Sequence, residues 1–259
     1  MPRHVTLRVS ERVGTIRLNR PPVNALDEDL VHDLVVVVGE AVRRDDVEAV
    51  VFTGGSSVFA AGADIQMMAR LSPAEIAPIT TAMQDAFSMI ERMPMVTIAA
   101  INGYALGGGC ELSLCTDFRY AADDARLGQP EILLGIIPGS GGTQRLPGLV
   151  GVSRAKELIY SGRQIEAAEA KAIGLVDQVF PPDEVLERAH EAARRFAVGP
   201  LLALRAAKEA IRVGAAPLRD VGLALERHAL IALFGSEDQR QGMKSFLERG
   251  LGMARFRGR

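Results

Sequence analysis

The chain has 259 residues, 48% of them hydrophobic and 24% charged, which supplies apolar material for a substantial core and excludes a disordered chain. Its 30 Lys and Arg residues against 32 Asp and Glu leave a formal charge of −2, so the broad cationic surface that nucleic acid needs is missing and acidic ligands must be met by local groups. Only Cys110 and Cys115 occur, five apart where a helix would point them to different faces, which suits neither a disulfide nor a zinc site. No run of 18 apolar residues is present, and Met1-Pro2-Arg3-His4-Val5 leads into an alternating pattern, so neither membrane insertion nor export is expected and a cytoplasmic location with reduced thiols is.

Val5 to Val9 and Val13 to Leu18 alternate apolar and polar residues around Ser10 to Arg12, which predicts a hairpin ended by Pro21 and Pro22. Asp27 is placed to cap a helix through Arg43, with Leu30, Leu34, Val37, Val38 and Val42 in its apolar stripe. Val47 to Phe52 and Val96 to Ile101 read as buried strands that each end in a glycine turn, and Phe59 to Ile65 as the end of a loop leading into a short helix. From Gly151 onward the pattern becomes helical, broken at Gly162, Gly174, Pro181-Pro182, Gly199-Pro200, Gly214 to Pro217 and Gly235-Ser236. A composition shift near residue 196 divides the chain into a core, 1–195, and a segment, 196–259, with amphipathic helices at 201–213, 218–234 and 237–248. These are too few to fold a core of their own and are expected to pack on the main domain or on another subunit.

Several familiar chemistries lack their residues. Gly107-Gly108-Gly109-Cys110-Glu111-Leu112 and Gly139-Ser140-Gly141-Gly142-Thr143-Gln144 both miss the last glycine of a dinucleotide-binding turn. No lysine follows a glycine in a phosphate loop, and Gly151-Val152-Ser153-Arg154-Ala155 fails the serine-hydrolase elbow at its last position. His190-Glu191 is followed by no second histidine at zinc spacing, so His4, His32, His190 and His228 are read as structural or solvated and no metal is expected.

The chemistry concentrates where the strand Val96 to Ile101 runs through Asn102-Gly103-Tyr104-Ala105-Leu106 into Gly107-Gly108-Gly109 and a helix over Cys110 to Cys115. Bare amides at a helix mouth let an oxyanion approach the N–H donors and the positive end of the dipole, although three glycines also serve close helix–strand packing. Glu111 follows in the first turn. Glu131 lies twenty residues on, ahead of the apolar run Ile132-Leu133-Leu134-Gly135-Ile136-Ile137-Pro138, where a buried carboxylate needs a partner or a task.

Taken together, Phe59-Ala60-Ala61-Gly62-Ala63-Asp64-Ile65, Gly107 to Leu112, Gln129-Pro130-Glu131 and Gly135 to Leu146 make a chain that resembles the enoyl-CoA hydratase (crotonase) family. Arg20 to Leu26, Ala167 to Asp177 and Ser236 to Glu248 extend the resemblance over nearly the whole sequence. It implies an α/β fold, a crotonase-type spiral of strand–strand–helix turns with a C-terminal helical segment, assembled as a homotrimer or a dimer of trimers. It also implies hydration of 2-enoyl-CoA thioesters to 3-hydroxyacyl-CoA, with an acyl-CoA substrate and no separate cofactor. By the family pattern the amides of Ala63 and Gly108 bind the thioester oxygen, where a preorganised donor is worth about 10²–10³ in rate. Glu111 activates water, Glu131 supplies the proton to carbon 2, and the Gly139 amide helps to hold the water. CoA contacts are implied at the backbones of Ala61, Ala63 and Ile65 and at Phe246 and Arg249, while Gln66 stands where many relatives carry lysine. The rivals are another reaction of the family, such as 3,2-enoyl-CoA isomerisation, which commonly needs only one acid, and a non-catalytic or RNA-binding member.

Overall fold

A computed structural model describes residues 2–215 and 218–258. Two sheets carry the fold, and the chain visits them alternately. It opens with the antiparallel hairpin β1 (Val5–Ser10) and β2 (Val13–Leu18), followed by α1 (Glu28–Arg43), whose N-terminus is capped by the Asp27 carboxylate accepting from the Leu30 amide at 2.9 Å. Three turns of the spiral follow. The first is β3 (Ala49–Thr53), β4 (Val58–Ala61), α2 (Ile65–Met68) and α3 (Pro73–Glu91); the second is β5 (Val96–Ile101), β6 (Tyr104–Leu106) and α4 (Gly108–Leu114). The third is β7 (Phe118–Ala122), β8 (Arg126–Gly128) and a 3-10 helix over Pro130–Leu134.

In each turn the first strand joins one sheet and the second joins the other. The larger sheet has the order β1-β2-β3-β5-β7-β10 and the smaller β4-β6-β8-β9, with parallel pairing wherever successive turns of the spiral meet. The remainder is α5 (Gly142–Val150), α6 (Val152–Ser161), β9 (Gln164–Glu166), α7 (Ala167–Ala172), β10 (Gln178–Phe180), α8 (Val185–Ala197), α9 (Leu201–Ala215), α10 (Arg219–Leu233) and α11 (Glu237–Arg249). This is the spiral of strand–strand–helix turns, followed by C-terminal helices, that the resemblance implies. The main core lies between the larger sheet, α1, α3 and α8, and is filled by the fully buried Phe52, Ile98 and Phe87. A second apolar cluster joins Met68, Ile76 and Ile136 of the spiral to Leu230 of α10, Phe234 just beyond it and Met243 of α11, so the C-terminal helices cover the spiral where the site lies.

Four local differences from the sequence reading have physical causes. Strand β3 starts at Ala49, not Val47, because the Val47 amide donates to the Arg44 carbonyl and closes the turn after α1. Phe59 to Ala61, read as loop, is strand β4: Phe59 and Ala60 are fully buried and the strand pairs with β6 more than forty residues away, a partner that no local pattern announces. Val42 is not part of the buried stripe of α1, where Ala41 takes the inward position. The helical region after Gly151 is interrupted by β9 and β10, three residues each and too short for periodicity to show. Of the break expected at Gly214 to Pro217, Ala216 and Pro217 lie outside the described residues.

Candidate active site

The site is built where the two sheets, the 3-10 helix and α10 meet. The Gly107 amide donates to the Gly128 carbonyl at 2.9 Å, which ties the mouth of α4 to the end of β8, and φ of +52° at Gly107 turns the chain from β6 into the helix. A Cβ at Gly107 would stand 2.9 Å from Glu131 Oε1, and one at Gly108 would stand 2.8 Å from Leu26 and 4.0 Å from Glu111 Oε2. Gly109 differs: its Cβ would overlap the Ala60 carbonyl of β4. The three glycines therefore divide the work, two opening the site and one permitting α4 to lie against the strand.

Gly108 is the first residue of α4, a position whose N–H has no intrahelical acceptor. Across from it, Leu26 pairs with Ala63 as an isolated parallel bridge. Its amide donates to Gly62 and its carbonyl accepts from Asp64, so the bonds flank Ala63 and its own N–H points away from Leu26. Both residues line one cavity of about 410 Å³, together with Ala61, Ile65, Glu111, Glu131, Gly139 and Phe246. Of the catalytic and CoA-contact residues that the resemblance implies, Arg249 is not on its wall; it is exposed at the end of α11, where Nη2 donates to Ser245 Oγ at 2.9 Å.

Glu111 projects from α4 and is 2% exposed; one oxygen, Oε1, accepts from the amides of Ser140 at 2.8 Å and Gly142 at 2.7 Å. Glu131, on the 3-10 helix, is 9% exposed, and its Oε2 is buried with no hydrogen-bond partner. A buried carboxyl oxygen left unpaired is costly when charged. Burial, reinforced by the nearby Glu111 charge, accordingly holds the Glu131 carboxyl well above the usual carboxylate range. Burial and then Glu226 push the Glu111 carboxyl up to about 8, against the pull of the Gly142 and Ser140 amides and Arg145. Both carboxyls are thus held above their ordinary range, and a buried acid that keeps its proton can sit beside a base in one pocket.

Sequence reasoning missed Glu226. It lies on the buried face of α10, between Leu223 and Leu230, and accepts from the amides of Gly141 at 2.6 Å and Thr143 at 2.9 Å and from Thr143 Oγ1. The available signal was a glutamate at i+3 from one apolar residue and i−4 from another on the same helical stripe. Arg145 completes the surroundings: it is 2% exposed, donates from Nη1 to the Ser140 carbonyl at 2.9 Å and pairs with Glu91 at 3.0 Å. Cys110 and Cys115 are both buried and unpaired, and burial raises both thiols, to about 12 and about 11. Among the described residues no cluster of His, Cys, Asp and Glu could hold a metal ion, and no helix is long and apolar enough to cross a membrane.

Residues 8–256 match the Enoyl-CoA hydratase/isomerase family. The chain belongs to that family. It is 42% identical over 248 residues to the crotonyl-CoA hydratase of Syntrophomonas wolfei and 40% identical over 248 residues to the short-chain-enoyl-CoA hydratase of Clostridium acetobutylicum, each match covering 95% of both chains. Among solved structures, an enoyl-CoA hydratase from Bacillus anthracis superposes with a TM-score of 0.80 at 39% identity, covering 99% of this chain and 100% of that one. An enoyl-CoA hydratase/isomerase from Xanthobacter autotrophicus reaches a TM-score of 0.89 at 26% identity, covering 96% and 95%. As a family member the chain is an enzyme of the hydro-lyase kind, and the matches run through the C-terminal helices as well as the spiral.

Proposed function

We propose that this chain adds water across the double bond of 2-enoyl-CoA thioesters to give 3-hydroxyacyl-CoA, with Glu111 and Glu131 as the acid–base pair. The thioester oxygen lies between the amides of Ala63 and Gly108, which stabilise the charge that grows there as water attacks carbon 3. Glu111, anchored by Oε1, uses Oε2 to take the proton of the attacking water, and the Gly139 amide steadies that water. Glu131, whose surroundings favour its protonated form, delivers a proton to carbon 2 of the enolate; the proton that Glu111 took from water then passes through solvent to Glu131, which restores the pair before the next turnover. CoA enters past the backbones of Ala61, Ala63 and Ile65, with Phe246 of α11 beside the opening.

The observation that supports this reading is that two buried glutamates, Glu111 and Glu131, line a single cavity together with Ala63 and Gly108. Isomerisation within the family would need only one of the two acids. Loss of absorbance from crotonyl-CoA tests the reading directly: hydration should be fast, and Glu111→Gln and Glu131→Gln should each slow it by about 10²–10⁴. Unchanged turnover in either folded variant would remove the paired-acid mechanism.

The trimer or hexamer belongs to the same proposal. Apolar side chains left exposed on α9 and α10, among them Leu202, Ile211, Val221 and Leu225, support it, since single helices seldom display so many without a partner surface.

A further inference from the structure

Four consecutive amides at the start of α5 are divided between two carboxylates far apart in the chain. Ser140 and Gly142 donate to Glu111 of α4, and Gly141 and Thr143 donate to Glu226 of α10. Gln84 of α3 extends the lattice: its Nε2 donates to Glu226 Oε1 at 3.2 Å, to the Gly139 carbonyl at 3.0 Å and to the Leu223 carbonyl at 3.1 Å. The turn that holds Glu111, and that presents Gly139 to the cavity, is thus fastened from behind by a second buried acid. Glu226 is absent from the cavity wall, so it acts through the turn and touches no reacting atom.

We propose that Glu226 is a positioning residue of the hydratase site: it locks the 139–143 turn so that two amides converge on Glu111 Oε1, and its charge sets the pH at which Glu111 becomes a base. This rests on the hydration reading for its catalytic consequence but not for its electrostatic one. Among the described residues, the charged and titratable groups around Glu111 are Cys110 on its own helix, Cys115 just past the end of it, Glu131 on the 3-10 helix, Arg145 on α5 and Glu226 on α10. Behind Arg145 stand Glu91 of α3 and Arg219 of α10, which pair with each other. Arg145 favours the Glu111 carboxylate, while Glu226 opposes it and is itself pushed up by burial against its bonds to Thr143 and Gly141. A second negative charge beside Glu111 makes the first harder to form; removing it lets Glu111 ionise at lower pH.

The test uses the full chain with Glu226→Gln, Glu226→Leu and, as a control on the same helix, Leu223→Ala. In Glu226→Gln one carbonyl oxygen remains to accept from the turn, and the acid limb of the kcat profile with crotonyl-CoA should move down by about one pH unit. Glu226→Leu leaves the Gly141 and Thr143 amides without their acceptor; kcat should fall about tenfold or more with KM within about twofold, the signature of an interaction made in the transition state. Leu223→Ala should lower the melting temperature without moving the acid limb. Should Glu226→Leu fail to fold, Thr143→Val, which keeps the backbone donors and removes the hydroxyl that donates to Glu226 and accepts from Gln144, should still move the limb down.

In parallel, the Glu111 carboxyl is titrated without substrate by ¹³C NMR of glutamate-labelled protein, assigned with Glu111→Gln. A lower midpoint in Glu226→Gln supports the proposal. An unchanged midpoint, or a shift as large in Leu223→Ala, overturns it. If the wild-type chain hydrates no enoyl thioester at any pH, the hydration reading fails on its own, and the NMR titration still decides whether Glu226 governs Glu111.

Discussion

Substituting Glu111 by Gln should separate catalysis from stability and move them in opposite directions. Both amide bonds to Glu111 end on Oε1, and a glutamine carbonyl oxygen, with two lone pairs, accepts both. The substitution therefore keeps the anchor and removes only the ability to ionise.

A carboxyl whose folded-state pKa is raised stabilises the native state relative to its charged form. That contribution is complete below the unfolded value of 4.5 and is lost as pH rises through about 8. At about 1.4 kcal/mol per pH unit, the wild-type chain gives up on the order of several kcal/mol across that window, all of it from forcing a charge into a buried site. The glutamine variant has no such loss. It should match the wild type near pH 5, exceed it by a few kcal/mol at pH 9, and hydrate crotonyl-CoA about 10²–10⁴ times more slowly throughout. Urea unfolding at pH 5, 7 and 9 reads the first effect and loss of enoyl absorbance reads the second. A wild type more stable than Glu111→Gln at pH 9 would refute the burial argument; equal turnover would refute the base.

Three further outcomes follow from the same geometry. Gly109→Ala gains roughly 1 kcal/mol of helix propensity but places a methyl carbon into the Ala60 carbonyl and 2.8 Å from its Cβ, so thermal unfolding should show a net loss of about 2 kcal/mol or more. Arg145→Met removes the buried cation that favours the Glu111 carboxylate and leaves the Ser140 carbonyl unpaired; the acid limb of the pH–rate profile should move up, and chemical denaturation should show a cost of about 3–5 kcal/mol. Among the described residues no Lys, Arg or His lines the cavity and its titratable groups are Glu111 and Glu131, so an acyl chain ending in a carboxylate should be a poor substrate. Competing crotonyl-CoA against 2,3-dehydroadipyl-CoA should give kcat/KM at least roughly 10²-fold in favour of the uncharged chain, and parity would show that a cation from another subunit reaches the pocket.

Much of the site was legible because its parts are local. The mouth of α4 is announced by consecutive glycines after a strand of β-branched and small residues, and Glu111 by its place in the first turn. Glu131 stands out because an acid next to Ile132-Leu133-Leu134 conflicts with burial. The hairpin, the Asp27 cap and the strand Val96–Ile101 were likewise readable, since alternation and capping act over a few residues. The family resemblance then supplied the spiral, which periodicity does not encode.

Tertiary structure decided the rest. The strand Val58–Ala61 exists because β6 lies beside it, and Glu226 is a partner of the turn after Ile137 only because α10 crosses α3 and α5 at that height. Whether a carboxyl is a solvated surface acid or a buried group held at about 8 depends on which distant amides and charges surround it, and those arrive from segments as far apart as Glu111 and Glu226. The residues thus carried the chemistry that was possible; electrostatics, acting across space and not along the chain, determined the protonation states that make it usable.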